Sequence, residues 1–194
     1  SSSKGCAELV ISAYRRSYFS SKNTASLAST RSGNVIGGGD WSNDRLIPDI
    51  LRAFEKKQKV IIRNPLSTRP WQHVLEPLSG YLILAEQLYL KGDDYAEAWN
   101  FGPKDNDCRS VGWILENMIK FWGDNVGWSH DKNSNPHEAS LLKLDCSKAK
   151  NRLKWHPKWG LKEALILIVD WHKDFLNNRD LYKKCIDEIK KYSN

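Results

Sequence analysis

One stretch constrains the fold more than any other: Arg31-Ser32-Gly33-Asn34-Val35-Ile36-Gly37-Gly38-Gly39-Asp40-Trp41. Before it, Ala25 to Thr30 reads as a short strand of small residues, and after it a helical pattern opens at Leu46. Three consecutive glycines leave backbone amides uncovered by side chains, so a phosphate or a sugar can approach closely. Asn34, just past the strand end, can donate and accept hydrogen bonds into that gap. In an open parallel sheet, ligands bind outside the carboxyl ends of the strands. A tight surface turn is the plainer reading of a glycine cluster standing alone, and the segments downstream of this one shift the balance.

Composition sets bounds. At 194 residues the chain is long enough for one domain with a real core. With 40% apolar and 27% charged residues it reads as globular, not disordered. No apolar run is long enough to span a membrane, and the start does not read as a signal peptide. Cys6, Cys108, Cys146 and Cys185 are scattered without a Cys-x-x-Cys pair, so no metal and no disulfide framework is expected. A reduced, cytoplasmic setting is the expectation. The net charge is +7, but basic residues often sit beside acids, as in Asp180 to Lys191, where a solvated helix face is the ordinary explanation. No aromatic–basic platform for single-stranded nucleic acid is visible, so nucleic acid is not expected as a partner. A pocket for diphosphates would also gather arginines, and a chain lacking an acidic complement would carry the same excess.

Periodicity predicts the elements. Glu8 to Tyr18 is helical, with Leu9, Val10, Ala13 and Tyr14 as a candidate surface. Arg45 to Lys57 is helical, with Leu46, Ile47, Ile50, Leu51 and Phe54 on one face and Pro48 in the first turn. Val60 to Ile62 is a short strand, and Arg63 to Pro70 is a polar loop carrying two arginines. A helix from about Glu76 to Leu90 turns Leu78, Tyr81, Leu82, Ala85 and Leu88 inward and ends at Gly92. Ala98 to Pro103 is a second strand-then-turn, and Ser110 caps a helix to Trp122. Short strands are expected at Val126 to Ser129 and Leu141 to Asp145, with a loop from Asn133 to Glu138 between them. Ser147 caps a short helix; Leu161 to Leu176 is the clearest amphipathic helix, and Leu181 to Tyr192 is a peripheral one. The histidines show no metal spacing; His73 should pack under the following helix and His137 should line the pocket mouth.

Several segments together carry a resemblance. Arg31-x-x-Asn34-Val35-x-Gly37, Arg69-Pro70-Trp71-x-His73-Val74, Asn100-Phe101-Gly102 and Leu153-x-Trp155-x-Pro157 occur in this order. That set resembles the carboxyl half of the extended short-chain dehydrogenase/reductases that act on nucleotide sugars. Ser1-Ser2-Ser3-Lys4 looks like the tail of that family's Tyr-x-x-x-Lys motif. Asn34 to Trp41, Arg63 to Leu75 and Trp99 to Pro103 are most similar to the family's 4,6-dehydratases of CDP-linked glucose. The implied fold is α/β: the carboxyl-terminal part of an extended Rossmann-type enzyme, with the end of the parallel sheet and a small mixed α/β substrate-binding domain. Residues 1–44 would belong to the NAD-binding Rossmann domain. Residues 45–194 would be mainly the nucleotide-sugar-binding domain, with some segments returning to the Rossmann sheet.

The resemblance implies NAD as cofactor, a CDP-sugar as substrate and a homodimer through the helix beginning near Lys4. It implies hydride removal from C4 of the hexose, loss of water across C5–C6 and return of the hydride to C6. Lys4 would be catalytic, hydrogen-bonding the nicotinamide ribose and lowering the pKa of a tyrosine. Ser32 would lie near the nicotinamide, through its backbone more than its hydroxyl. Asn34, Arg45, Arg69 and Asn100 would bind substrate. Arg45 opens a helix, where the dipole disfavours a cation unless an anion is near. Arg69 has the planar guanidinium suited to a diphosphate. The family's Gly-x-x-Gly-x-x-Gly fingerprint and catalytic tyrosine are not in these 194 residues. The expectation is therefore an inactive carboxyl-terminal fragment; another nucleotide-sugar epimerase or dehydratase, or a non-enzymatic nucleotide-sugar binder, are the alternatives.

Overall fold

The computed structural model describes residues 2–19, 25–123, 126–131 and 141–194. The loop expected at Asn133 to Glu138, with His137, lies outside these residues. Apolar residues at helical spacing build α2 (Leu46–Glu55), which buries Ile47, Pro48, Ile50, Leu51 and Phe54. Helices α4 (Val111–Trp122) and α6 (Leu161–Leu176) do the same with Ile114, Leu115 and Met118, and with Leu165, Ile168 and Val169. These faces meet β3 (Lys59–Ile62), which pairs in parallel with β7 (Gly127–His130), in one core.

A second core gathers α3 (Leu75–Lys91), β5 (Ala98–Phe101) and α5 (Ser147–Arg152) around Trp99, Phe101, Leu153 and Trp155. There β1 (Ser29–Ser32) pairs in parallel with β5, from Ser29 opposite Ala98 to Ser32 opposite Phe101. A three-stranded sheet links the two regions in the order β2 (Asn34–Ile36), β4 (Thr68–His73) and β6 (Cys108–Ser110). Its first pair is parallel and its second antiparallel. Gly33 stands between β1 and β2, where any side chain would overlap the Pro70 carbonyl. The expected single strand is therefore two, the chain passing from one sheet to the next at a residue without a side chain.

The structure differs from the sequence expectation in four further places. Helix α3 turns Glu76, Pro77, Gly80 and Leu84 inward, leaving Leu78 and Leu82 exposed. Gly80 sets this phase, because a side chain there would overlap the Phe101 ring. The polar loop ends before Thr68, so Arg69 is a strand residue. Leu141 to Asp145 contributes one bridge, Thr68 to Leu141, instead of a strand. Helix α5 starts at Ser147 but is capped by Cys146 without a side-chain bond, while Asp145 accepts from the Ser147 amide at 2.8 Å. The Ser110 cap on α4 and the Gly92 stop on α3 are as expected.

Candidate functional site

Helix α1 (Ser2–Tyr18) has no buried residue. Polar contacts set its direction. The Ser29 hydroxyl donates to Glu8 at 2.9 Å, Arg31 pairs with Glu8 at 3.6 Å, and Arg15 donates to the Leu27 carbonyl at 2.8 Å. As α1 advances from residue 8 to 15, its partners move back from 31 to 27, so it runs antiparallel to β1. One turn before Glu8, about 6 Å along the axis, Lys4 therefore lies toward the carboxyl end of β1. Ser32 is at that end, and Lys4 is exposed there. The Ser32 hydroxyl is 3.0 Å from that of Tyr81.

Asn34, half-buried, opens β2 directly beside Trp71 of β4. Two residues earlier on β4, Arg69 is only 9% exposed and donates to the Thr68 carbonyl at 2.9 Å. Trp71 fixes this strand by donating from its indole to the Arg109 carbonyl at 3.0 Å. Arg45 is exposed at the N-cap of α2 with no side-chain capping bond. An anion is near it: burial raises the Asp40 carboxyl, but bonds from Ser42 and the charges of Arg45 and Arg52 outweigh this and hold it low. Asn100 donates to the Asp145 carbonyl at 3.0 Å, and its own side-chain oxygen is enclosed without a partner. Lys4, Ser32 and Asn34 thus gather at one strand end, with Arg69 reached through the β2–β4 pair. Asn100 ties β5 to the Asp145 segment.

The glycine loop serves packing. A side chain at Gly38 would overlap the Trp171 indole, and Gly39, at φ +76°, lies against the same ring. Behind it a cavity of about 100 Å³ is lined by Gly38, His73, Trp171, Cys185 and Glu188, and holds none of the expected site residues. His73 is buried, accepts from the Leu75 amide at the start of α3 at 3.3 Å and meets Trp159 edge-on. Burial depresses its pKa to about 4, although Glu163 pulls the other way.

Glu76 is a residue that the sequence patterns do not single out. It is fully enclosed and accepts from the Trp159 amide at 2.7 Å, the Tyr192 hydroxyl at 2.8 Å and the Lys158 amide at 3.0 Å. Burial pushes its carboxyl above the usual range despite these donors. An acid at the start of a predicted amphipathic helix is the one signal that points to it. Through it α7 (Leu181–Ser193), expected to be peripheral, is anchored by a buried Tyr192. Among the described residues no group of three or more His, Cys, Asp or Glu is placed to hold a metal ion. Among them, too, no helix is long and apolar enough to cross a membrane.

No family model matches the chain. Over 99% of its length it is 56% identical to CDP-glucose 4,6-dehydratase of Salmonella typhimurium, of which it spans 55%. The crystal structure of dTDP-glucose 4,6-dehydratase from Bacillus anthracis in complex with NAD superposes with a TM-score of 0.70 at 22% identity, covering 89% of this chain and 51% of that one. UDP-glucuronic acid 4-epimerase from Bacillus cereus, in complex with UDP-glucuronic acid and NAD, gives 0.73 at 20% identity, covering 87% and 50%. At such identities the likeness to the solved structures is one of fold. The chain therefore spans about half the length of the relatives it matches. Its ordered motifs and its sequence identity make it similar to about half of CDP-glucose 4,6-dehydratase, and its parallel α/β topology has the fold of the carboxyl-terminal part of the Rossmann-type dehydratases and epimerases on which it superposes.

Proposed function

We propose that the chain supplies the nucleotide-sugar-binding part, and the catalytic lysine, of an NAD-dependent 4,6-dehydratase acting on CDP-glucose. The supporting observation is the antiparallel run of α1 along β1, which carries Lys4 to the strand end occupied by Ser32 and Asn34. An exposed ammonium beside an open parallel-strand terminus suits the nicotinamide-ribose end of the cofactor. When bound, NAD supplies the hydride acceptor for oxidation at C4. Lys4 donates to a ribose hydroxyl and stabilises the anionic form of a tyrosine supplied from outside these residues. Ser32 borders the nicotinamide by its backbone. Asn34 hydrogen-bonds the sugar or diphosphate, and Arg69 clamps the diphosphate. Arg45 and Asn100 have nearer duties, beside Asp40 and on Asp145, and contribute through them to the pocket wall.

In this reading residues 1–44 belong with the cofactor domain and the rest mainly with the sugar-nucleotide domain, β5 returning to pair with β1. A second copy docks on the exposed Leu9, Val10 and Tyr14 of α1, in a cytoplasmic enzyme. Calorimetric titration tests the site. Arg69→Ala should weaken CDP and CDP-glucose alike by about ten- to a hundredfold, the loss of one charge-assisted bond. Equal affinities would remove Arg69 from the site, and tighter binding of a UDP-sugar would favour an epimerase-like relative. The 194 residues alone should form no 4-keto sugar from NAD and CDP-glucose; steady turnover would overturn this division of labour.

A further inference from the structure

The cavity of about 100 Å³ behind the glycine loop shares no residue with the strand end that gathers Lys4, Ser32 and Asn34. Val74 and Leu75 at the start of α3, Trp171 of α6 and Ile189 of α7 give it apolar walls. One acid stands among them. Glu188 of α7 is half-buried, its Oε1 is out of water, and among the described residues that oxygen has no hydrogen-bond partner. Donors in the same walls are engaged elsewhere: the Trp171 indole donates to the Cys185 Sγ at 3.4 Å, and the Leu75 amide to His73 Nδ1 at 3.3 Å. The charges of Lys184 and Lys191 reach Glu188, but Lys184 pairs with Asp174 at 3.0 Å and Lys191 with Glu163 at 2.7 Å. Asp170 and Asp174 of α6 act on Glu188 in the opposite sense. Burial pushes its carboxyl above the usual range despite the two lysines.

A carboxylate oxygen held out of water without a donor is costly. Set in the wall of a cavity well above the about 10–15 Å³ that one water needs, it marks a place for a ligand that brings its own donor. We propose that this cavity binds a small primary ammonium group, which donates from its nitrogen to Glu188 Oε1 while its carbon stem lies against Val74, Leu75 and Ile189. The ligand donates because an ionised carboxylate only accepts. It is a cation because the lysines that act on Glu188 are shared with other acids. It is slim because Gly38, packed on the Trp171 ring, closes that side. His73 adds no competing charge, since burial keeps its pKa at about 4. An ammonium seated there ties α7 to the end of β4.

The test follows amide and indole NMR shifts of the full chain, unaltered and as Glu188→Gln, during titration with propylammonium, propanol and tetramethylammonium, with melting curves alongside. Propylammonium should move the Trp171 indole and the Cys185 and Ile189 amides with a millimolar Kd, the order expected for so few heavy atoms, and should raise the melting temperature. Propanol lacks the charge and tetramethylammonium lacks an N–H, so each should bind about tenfold more weakly or worse. Glu188→Gln should keep or raise the ligand-free melting temperature and lose about tenfold in propylammonium affinity. Propanol or tetramethylammonium bound as tightly as propylammonium would overturn the proposal, and so would equal propylammonium affinities for the unaltered protein and Glu188→Gln. No movement of the three signals up to about 100 mM propylammonium would leave water as the only occupant and overturn it as well. None of these outcomes bears on the nucleotide-sugar site, with which the cavity shares no residue.

Discussion

Helices α1 and α7, at the two ends of the chain, are both attached by polar side chains, yet they are attached very differently. Helix α1 is held by Glu8 and Arg15, and the Glu8–Arg31 pair leaves side chains 25% and 43% exposed. Helix α7 is held by Tyr192, 7% exposed, whose hydroxyl meets Glu76, 0% exposed, and lies 3.0 Å from that of Ser79. Lys158 closes the set by donating to the Tyr192 carbonyl at 2.7 Å. Water reaches the Glu8–Arg31 pair that helps to hold α1, whereas Glu76 is wholly out of it. An exposed ion pair is worth little, whereas a buried acceptor that loses its place leaves its donors stranded. The helix that carries the proposed catalytic lysine is thus the loosely held one.

The largest effect that would sharpen this contrast is Glu76→Ala. It strands two backbone amides, each costing about 1–3 kcal/mol when buried unpaired, and leaves the Tyr192 phenol with Ser79 alone, so a loss of about 3 kcal/mol or more is expected. Denaturant unfolding checks it; a loss below about 1 kcal/mol would mean that water reaches the anchor.

Acid should act in the same region through His73. Its pKa is 6.5 normally and about 4 in the fold, so the unfolded chain binds the extra proton between these values. Stability is therefore whole above pH 6.5 and falls as pH drops toward 4, by about 3 kcal/mol in all. Melting curves at pH 7 and pH 5 should diverge in the native chain and much less in His73→Gln. Equal divergence would assign the acid sensitivity to another group.

At the other end, Glu8→Ala should cost less than about 1 kcal/mol in global unfolding, while amide exchange in α1 should speed up. A loss as large as that of Glu76→Ala would erase the contrast. Smallest of all in its effect on the monomer is Val10→Asp, at an exposed position. Global stability should stay within about 0.5 kcal/mol, while sedimentation should report dissociation of the dimer proposed through α1. An unchanged assembly would place that contact elsewhere.

Much is legible in the sequence because it is local. Phe54, Ile50 and Ile47 recur at helical spacing, so α2 can be read from residue order alone, and Ser110 and Gly92 mark helix ends by their own chemistry. The ordered motifs from Arg31 to Pro157 carry the family resemblance for the same reason. Each is a short run whose residue types matter more than their surroundings.

Tertiary structure decided what depends on a distant neighbour. Gly33 is a crossing between sheets because Pro70 lies against it, and the glycines after it accommodate Trp171, more than a hundred residues away. The inward face of α3 differs from the expected one because periodicity counts apolar residues, while packing favours a glycine on Phe101 and an acid reaching Lys158 and Trp159. Nothing in the sequence sets Arg69 opposite Arg109; strand register does. Residue type and spacing determined which helices and strands this chain could form. Close contact between segments far apart in sequence determined which atoms face one another, and so where its candidate chemistry sits.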